Sequence, residues 1–552
     1  MNVRSDEHED SSGPKSSLVY SRDSGRVESV LAALANFFCR RWYLVVAIWL
    51  PAAAVSMVGY SKQKPLWGDE IIFRWIATLP TVRDIWCALT SGLNTDPPMG
   101  QLIAHGLVEI FGASPLVVRL MSICGICVML LSLFLTLRNH VGPIYALIGL
   151  AIPFSTTLIY YGFEARPYGL LYGFLGIAIY CWDRVGEEQS SPLWWNVALG
   201  ASLAAALGCH FYAVFALPAF YLGEGVRSLR RRNLALPTVG AMIVASSTVF
   251  LYWPIIVGAR KYSSAYFSRP EFDSIPRFAE HNLQHLGFSL CALLFLAAVF
   301  VTGGLKLTPE GGKIEDSRFR ELTALALGFL SVPMVAWVAG ILVLKAFTDR
   351  YVLHGLFGVF LLIPLFAARL LRSSRVGALA LLLAGGIPAL MFVTGGIVRN
   401  FKSPDQTIAA EGGSARPLDL ALLEEEIPKL SGDIVVSDLQ VFLQMVNYSP
   451  VLKARCIYLW DSEKETRYTG HDGISHWTKD AIKMGWLRAK QWDGYRDHNG
   501  KFLFLTRLDE APESSGWLAA YLHTVSRYGQ VVSTVGQYKI VEAKPAGSGI
   551  DP

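Results

Sequence analysis

The chain has 552 residues, of which 52% are hydrophobic and 17% are charged, and its mean hydropathy is +0.37. This composition is too apolar for a water-soluble globular protein of that length, so it indicates an integral membrane protein. The 49 basic and 44 acidic residues leave a net charge of +5, which is too small over so long a chain to indicate a nucleic-acid partner.

The N-terminal segment, residues 1–41, is first polar and then amphipathic. Met1–Arg26 is rich in Ser, Asp and Glu, which predicts disorder, and it lacks the basic start and short apolar run of a cleaved signal peptide. From Val27 onward, apolar residues fall on one face of a helix that ends at Arg40 and Arg41. Two interpretations stay open, a helix lying on the inner leaflet and a plain continuation into the first membrane span.

Residues 42–396 contain repeated apolar stretches that are long enough to cross about 30 Å of hydrocarbon. We predict about eleven transmembrane helices, of which the fifth and sixth are short enough to form one bent hairpin. The predicted spans are Trp42–Tyr60, Pro115–Leu137, Ile144–Tyr161, Pro167–Trp182, Leu193–Gly208, Tyr212–Gly225, Leu234–Val257, Leu286–Val301, Leu322–Leu344, Val352–Ala368 and Val376–Gly395.

Basic residues gather in the loops on one side of this pattern. They are Arg40, Arg41, Arg138, Arg227, Arg230, Arg231, Arg232, Lys306, Lys313, Arg318, Arg320, Arg369, Arg372 and Arg375. Because basic loops stay cytoplasmic, we predict a multi-pass protein of the inner (cell) membrane with a cytoplasmic N-terminus. An odd number of spans then places the Ser61–Ser114 loop, the Gly258–His285 loop and the chain after Gly396 on the extracytoplasmic side.

Residues 397–552 have the composition of a soluble domain, which we predict to be a periplasmic α/β domain that folds independently. The predicted strands are Ile434–Ser437, Cys456–Trp460, Phe502–Thr506 and Tyr538–Val541, and the predicted helices are Leu439–Asn447 and Trp517–Arg527. The segment contains no internal repeat and no phosphate-binding glycine loop. The fold class is therefore an α-helical polytopic membrane protein with a C-terminal α/β domain.

The first extracytoplasmic loop carries two adjacent acids, Asp69 and Glu70, directly before a helical stretch. An acidic pair at the edge of a membrane cavity can supply a general base for an acceptor, while its neighbour orients the acceptor or binds a divalent ion. The structural alternative is a helix N-cap, because Asp caps helices well and acids favour the first turn.

A second helix of this loop begins after Asp96 and two prolines, and it carries His105. A lone histidine on such a helix is more often a packed residue than a ligand, although an ionisable group near the membrane favours a functional role.

Three further loops carry candidate site residues. Glu164 and Arg166 lie in the short aromatic hairpin between the third and fourth spans, where Arg166 can contact a phosphate and Glu164 can hold its guanidinium or bind a metal. Arg350 and Tyr351 begin the tenth span, at the surface where a lipid-linked phosphate lies. His210 lies between the fifth and sixth spans, where it can supply an imidazole at the outer surface, and the alternative is an anchor formed with its aromatic neighbours Phe211 and Tyr212. The alternative for the hairpin is an interfacial aromatic belt with a surface ion pair.

Together, the acidic pair, the Pro-Pro helix with its histidine, the Glu-Ala-Arg-Pro-Tyr hairpin (residues 164–168) and the late Arg-Tyr pair resemble the GT-C membrane glycosyltransferases. The similar branch contains the protein mannosyltransferases and the bacterial aminoarabinose transferases, and the likeness runs from about Trp42 to Gly395. It implies transfer of a sugar from a dolichyl- or undecaprenyl-phosphate carrier to a glycan, lipid or protein acceptor, typically with inversion at the anomeric carbon.

By that resemblance, Asp69 is the catalytic base, Glu70 binds or orients the acceptor, and Arg166, Arg350 and Tyr351 contact the donor phosphate. The chain departs from the usual pattern at Asp96, where a histidine commonly precedes the two prolines, whereas His105 matches it. No cofactor is implied except a divalent metal ion, which stays an open alternative without assigned ligands. The segment from Ile434 also resembles the appended periplasmic domain of bacterial members.

Two other classes of function are compatible with many spans. A transporter or lipid flippase would show internal repeats and broken spans with charges at mid-membrane depth, and the sequence contains no such repeat. A non-catalytic scaffold would leave the acids and arginines of the extracytoplasmic loops unexplained. The sequence identifies neither the sugar nor the acceptor.

Overall fold

The computed structural model describes residues 17–187, 192–260, 270–283, 287, 316–371, 374–401, 417–496, 501–508 and 516–544. Up to residue 401 its helices are Ser17–Arg40, Trp42–Gln63, Gly68–Ala77, Val82–Ser91, Pro98–Phe111, Pro115–Val141, Pro143–Ala151, Tyr168–Glu187, Leu193–Cys209, Leu217–Arg231, Leu236–Ser247, Trp253–Ala259, Ser274–Leu283, Asp316–Leu330, Val332–Ala339, Asp349–Val352, Phe357–Leu370, Arg375–Gly385 and Ile387–Arg399. Short 3-10 segments, among them Thr157–Phe163, Phe211–Ala216 and Leu353–Leu356, join several of them.

Five helical segments among these residues are long and apolar enough to cross a membrane. They are Trp42–Gln63, Pro115–Val141, Leu236–Ala259, Arg318–Leu344 and Asp349–Leu370. Two further segments qualify as bent pairs, so the described residues contain up to 7 spans by length and composition. The pairs are Pro143–Ser155 with Thr157–Phe163, bent by 78°, and Arg375–Gly385 with Ile387–Arg399, bent by 46°.

The predicted polytopic helical architecture is confirmed, but the predicted number of about eleven spans is not. The predicted fourth span is a helix that is long enough but too polar near its end, and the fifth is apolar but has only 17 residues. The sixth is divided into the 3-10 segment Phe211–Ala216 and a helix that ends in arginines. The predicted span Leu286–Val301 and the basic residues Lys306, Lys313 and Arg372 lie outside the described residues.

The N-terminal helix corrects one prediction and bears on the two alternatives for the amphipathic segment. Met1–Arg26 was predicted to be disordered, but helix Ser17–Arg40 begins at Ser17 and so includes the last part of that region. The helix ends at Arg40, and a new helix begins at Trp42, so the amphipathic segment is not a plain continuation of the first span.

Close packing of two helices fixes the hairpin that follows the third predicted span. A Cβ on Gly125 of helix Pro115–Val141 would collide with the backbone of Gly169, which lies in helix Tyr168–Glu187. Small residues allow such close backbone approach between membrane helices. At the same contact, the hydroxyl of Ser122 donates to the carbonyl of Arg166 over 2.7 Å. The backbone of residue 166 is thereby tied to the helix bundle.

The C-terminal part is the predicted α/β domain. Its strands are β1 (Ile434–Val436), β2 (Cys456–Trp460), β3 (Ala489–Gln491), β4 (Phe502–Arg507), β5 (Val531–Val535) and β6 (Tyr538–Ala543), and its helices are Pro417–Glu426, Leu439–Tyr448, Pro450–Arg455, Ser462–Thr469, Gly473–Lys483, Trp492–Arg496 and Trp517–Thr524. The sheet order is β3-β2-β1-β4-β6-β5, with β1 to β4 parallel and with β6 antiparallel to both β4 and β5.

The two faces of this sheet are covered differently. One face packs within the domain, around Val435, Phe504 and Trp517. The apolar cluster on the other face continues into the loop helices Gly68–Ala77 and Val82–Ser91, so that Phe442 and Ile71 belong to one core. The C-terminal domain is therefore joined to the loop that carries the acidic pair by shared apolar packing.

Candidate functional site

Asp69 lies in the first turn of helix Gly68–Ala77, and its carboxylate faces two arginines. Its Oδ2 atom is 3.2 Å from Nη1 of Arg166 and 3.3 Å from Nη1 of Arg350. The N-cap position is occupied by Trp67, whose N–H donates over 3.3 Å to Oε2 of Glu70. Capping is therefore performed by Glu70, and the Asp69 side chain is directed to the arginines.

Glu70 is fully buried and forms a bidentate ion pair with Arg119. Nε of Arg119 lies 2.9 Å from Oε1 and Nη2 lies 2.7 Å from Oε2, and the N–H of Ala165 donates to Oε1 over 2.6 Å. Burial acts to raise the pKa of Glu70, but the positive charges of Arg119 and Lys64 and these hydrogen bonds lower it below its ordinary value overall. Because its oxygens are enclosed, the geometry gives no support to Glu70 as an acceptor contact.

Arg119 was missed by the sequence reasoning, although it organises the loop. Its Nη1 also donates to the carbonyls of Ser61 and Lys64, over 2.7 and 2.8 Å, and its Nη2 donates to that of Pro65 over 3.3 Å. A single arginine inside an apolar span is itself a signal, because a buried charge requires specific partners. Arg119 therefore fixes the chain just before Asp69.

Asp96 and His210 extend the charged cluster beyond Arg166. Oδ2 of Asp96 is 3.6 Å from Nη2 of Arg166, and its Oδ1 is 3.8 Å from Nε2 of His210. Burial, followed by the nearby charges of Arg166 and Arg350, lowers the pKa of His210 to about 3. The imidazole is therefore neutral at physiological pH, and Arg166 is the cation held between Asp69 and Asp96.

Aromatic rings surround the two arginines. Arg166 lies 5.7 Å from the ring centre of Tyr168, and Arg350 lies 5.5 Å from that of Tyr351 and 5.7 Å from that of Trp67. Several buried polar atoms here have no hydrogen-bond partner among the described residues: Nε1 of Trp67, Nε of Arg166, Nε of Arg350 and the hydroxyl of Tyr168. Because buried polar groups are normally paired, these atoms indicate a site that binds a polar ligand.

A cavity of about 410 Å³ lies beside this cluster. Its lining is mostly polar and aromatic, and comprises Phe154, Ser155, Thr156, Thr157, Tyr160, Tyr161, Glu164, His281, Asn282, Asp349, Arg350 and Leu353. Arg350 belongs both to this lining and to the contacts of Asp69. Glu164 is paired with Lys64, so it does not hold the guanidinium of Arg166.

Of the predicted site residues, Asp69, Asp96, Arg166, His210, Arg350 and Tyr351 come together in the structure, and Glu164 lines the adjoining cavity. His105 has a different contact, since its Nδ1 lies 3.0 Å from the carbonyl oxygen of Ala77. It joins two loop helices, as the packing interpretation expects.

The cluster does not fit a divalent metal ion. Among the residues that the structure describes, no group of three or more His, Cys, Asp or Glu side chains is arranged to hold one. Asp69 and Asp96 instead face Arg166, whose positive charge already compensates the carboxylates that a metal would need. We therefore assign no step to a metal.

Comparisons with known proteins agree with the resemblance seen in the sequence. The profile of the family described as Dolichyl-phosphate-mannose-protein mannosyltransferase matches residues 95–253. No curated protein sequence gives a significant match to the chain. The matched region contains Asp96, Arg166 and His210, so part of the cluster lies within it.

Solved structures establish the type of fold. The crystal structure of ArnT from Cupriavidus metallidurans bound to undecaprenyl phosphate aligns with a TM-score of 0.52 and 12% identity, over 91% of this chain and 98% of that chain. Two further structures align with lower TM-scores. They are ArnT from the same organism in the apo state (TM-score 0.47, 16% identity, 91% of this chain and 98% of that chain) and the archaeal oligosaccharyltransferase AglB from Archaeoglobus fulgidus (TM-score 0.43, 12% identity, 91% and 74%).

Proposed function

From a chain that has the GT-C membrane fold and matches mannosyltransferases over residues 95–253, we infer a glycosyltransferase that uses a polyprenyl-phosphate sugar. The donor is of the undecaprenyl-phosphate type, which the similarly folded ArnT structure contains. The acceptor is a glycan, lipid or protein on the extracytoplasmic face, and the reaction inverts the anomeric carbon. The catalytic part is residues 42–396, with residues 1–41 in the cytoplasm and residues 397–552 in the periplasm.

The observation that carries this proposal is the position of Asp69 between Arg166 and Arg350, of which Arg350 also lines the cavity. A phosphate leaving group needs cations, and the acceptor needs a base on the opposite side of the anomeric carbon. Arg166 and Arg350 can supply the cations, and Asp69 can supply the base once a phosphate takes its place beside the arginines. The cavity volume suffices for a sugar ring, and its hydroxyl and carboxyl groups suit a polyol.

The reaction follows from an exchange of partners. The donor phosphate binds Arg350 and Arg166. In doing so, the phosphate replaces the carboxylate of Asp69 as the anion paired with the two arginines. Asp69 then accepts the proton of the acceptor hydroxyl or amine, and the acceptor atom bonds to the anomeric carbon. The bond from that carbon to the phosphate oxygen breaks, and the polyprenyl phosphate leaves with the electron pair. Tyr351 lies beside Arg350 and contacts the same phosphate.

One observation favours the transporter or flippase alternative. The two bent helix pairs are the broken spans that this hypothesis predicts. The cavity beside the 78° bend, however, is lined by Arg350, which contacts Asp69, and the match to the mannosyltransferase family covers residues 95–253. Net movement of an intact undecaprenyl-phosphate sugar across liposomes, without transfer, would favour the alternative.

Asp69→Asn is the decisive variant. It keeps the size of the side chain and removes the proton acceptor, so we expect turnover to fall by a factor on the order of 100 to 10,000 while binding of undecaprenyl phosphate persists. Asp84→Asn is the matched control, because Asp84 lies in the first turn of the neighbouring helix and bonds to Thr81. Transfer is measured from labelled undecaprenyl-phosphate sugars to membranes of a deletion strain. Near-normal transfer by Asp69→Asn would refute the proposed role.

A further inference from the structure

The helix Leu439–Tyr448 of the C-terminal domain, here called the docking helix, lies against the segment that leads into Asp69. Its residues Gln440, Gln444 and Tyr448 are spaced by four, so they lie on one face of the helix. This face meets Leu66 and Gly68 of the segment. The contact is thus made by one continuous face of a regular element.

The contact is formed with the backbone of the segment. The hydroxyl of Tyr448 accepts the N–H of Leu66 over 2.6 Å, and the amide of Gln444 donates to the carbonyl of Leu66 over 3.2 Å. A Cβ on Gly68 would also meet the side-chain amide of Gln440, so the end of that side chain lies against the backbone of the segment. Both backbone groups of a fully buried residue therefore depend on the C-terminal domain.

The same segment is held from the other side by the membrane part. Arg119 donates to the carbonyls of Lys64 and Pro65, the two residues before Leu66. In the helix that follows, Gly68–Ala77, Arg74 donates to the side-chain oxygen of Asn447, which is also on the docking helix. The backbone just before Asp69 is therefore clamped between a membrane helix and the C-terminal domain.

We propose that Gln444 and Tyr448 are positioning residues for Asp69, so that the C-terminal domain completes the active site. This inference rests on the proposed role of Asp69. Catalytic groups act only when they are held at the right distance from the reacting atoms, and small displacements cost large factors in rate. Leu66 is three residues from Asp69. Loss of the hydrogen bonds to Leu66 therefore allows the backbone to shift, which displaces the carboxylate relative to Arg166 and Arg350.

The test uses the full-length protein and Tyr448→Phe, which removes one hydroxyl and keeps the ring. We expect turnover to fall about tenfold, as for loss of one hydrogen bond to a buried group, with little change in the Michaelis constant for the donor. Gln444→Leu should act in the same direction. Tyr528→Phe is the matched control, because Tyr528 is in the same domain and its hydroxyl has no hydrogen-bond partner among the described residues.

A double variant separates positioning from general stability. If Tyr448 acts through Asp69, adding Tyr448→Phe to Asp69→Asn should not lower the residual rate further. An equal loss in both backgrounds, or a Tyr448→Phe variant as active as Tyr528→Phe, overturns the inference. The proposed function is tested separately by Asp69→Asn alone. Normal activity of that variant would refute Asp69 as the general base, and with it the proposal that Tyr448 positions a catalytic group.

Discussion

The guanidinium of Arg119 and the carboxylate of Glu70 lie side by side, with two nitrogen–oxygen pairs at 2.9 and 2.7 Å and both side chains fully buried. Glu70 immediately follows Asp69, so the orientation of this first helical turn depends on the pair. The acid that the sequence predicted to meet the acceptor instead has a structural position beneath the site.

Glu70→Gln should lower stability substantially. The variant leaves the Arg119 cation buried without its anion, which costs about 3–5 kcal/mol in comparable pairs. Thermal unfolding of the purified protein in detergent measures the loss. Glu109→Gln is the matched control, because Glu109 is exposed on a neighbouring helix. Equal melting temperatures for the two variants would contradict the assigned role.

The same pair predicts a pH dependence of stability. The pKa of Glu70 is lower in the folded protein than its ordinary value, so its ionised form stabilises the fold at neutral pH. That contribution is present above the unfolded-state pKa of about 4.3 and is lost as the pH falls from there through the folded-state pKa. The difference in melting temperature between wild type and Glu70→Gln should therefore shrink below about pH 4. A constant difference down to pH 3 would disagree.

Arg350→Lys should weaken donor binding. Lysine keeps the charge but loses the planar donor pair and the ring contacts, so we expect the Michaelis constant for the lipid donor to rise about tenfold. Arg166→Lys should lower turnover as well, because Arg166 also pairs with Asp96. Arg488→Lys, a change at an exposed arginine of the C-terminal domain, is the control. If both site variants keep wild-type constants, neither arginine binds the phosphate.

The C-terminal domain expressed alone, from Ala415 to Pro552, should fold but associate with itself. One face of its sheet has a core of its own, which supports folding, whereas the other face loses the loop helices that cover it. Circular dichroism should report a mixed α/β spectrum, and size-exclusion chromatography should report oligomers. An unfolded spectrum would mean that the domain is completed by the membrane part.

Hydropathy predicted where the apolar helices occur, and composition predicted the change to an α/β domain. Hydropathy did not predict the 78° bend, because it averages side-chain polarity over a window and contains no information on the direction of the helix axis. In the sheet, β3 and β5 were missed. Both are edge strands with mostly exposed residues. β3 has only three residues and no apolar pattern, whereas β5 contains three valines and was overlooked.

The site residues that the sequence predicted are ionisable residues in the loops between apolar stretches. Asp69, Arg166 and Arg350 fit that description, and all three meet. Arg119 lies within an apolar run, and Tyr448 is more than 370 positions from its partner Leu66, so neither contact has a local signature. Contacts between residues so far apart in the chain are determined by tertiary packing, which cannot be read from a single sequence.

The turn of 78° between Ser155 and Thr157 has a consequence for how the bundle fills space. Ser155, Thr156 and Thr157, the residues at the bend, line the cavity directly. Backbone N–H and C=O groups that lose their helical hydrogen bonds at a break need polar partners or water. The bend therefore places three hydroxyl side chains on the wall of the cavity, where they can hydrogen-bond to a polar ligand.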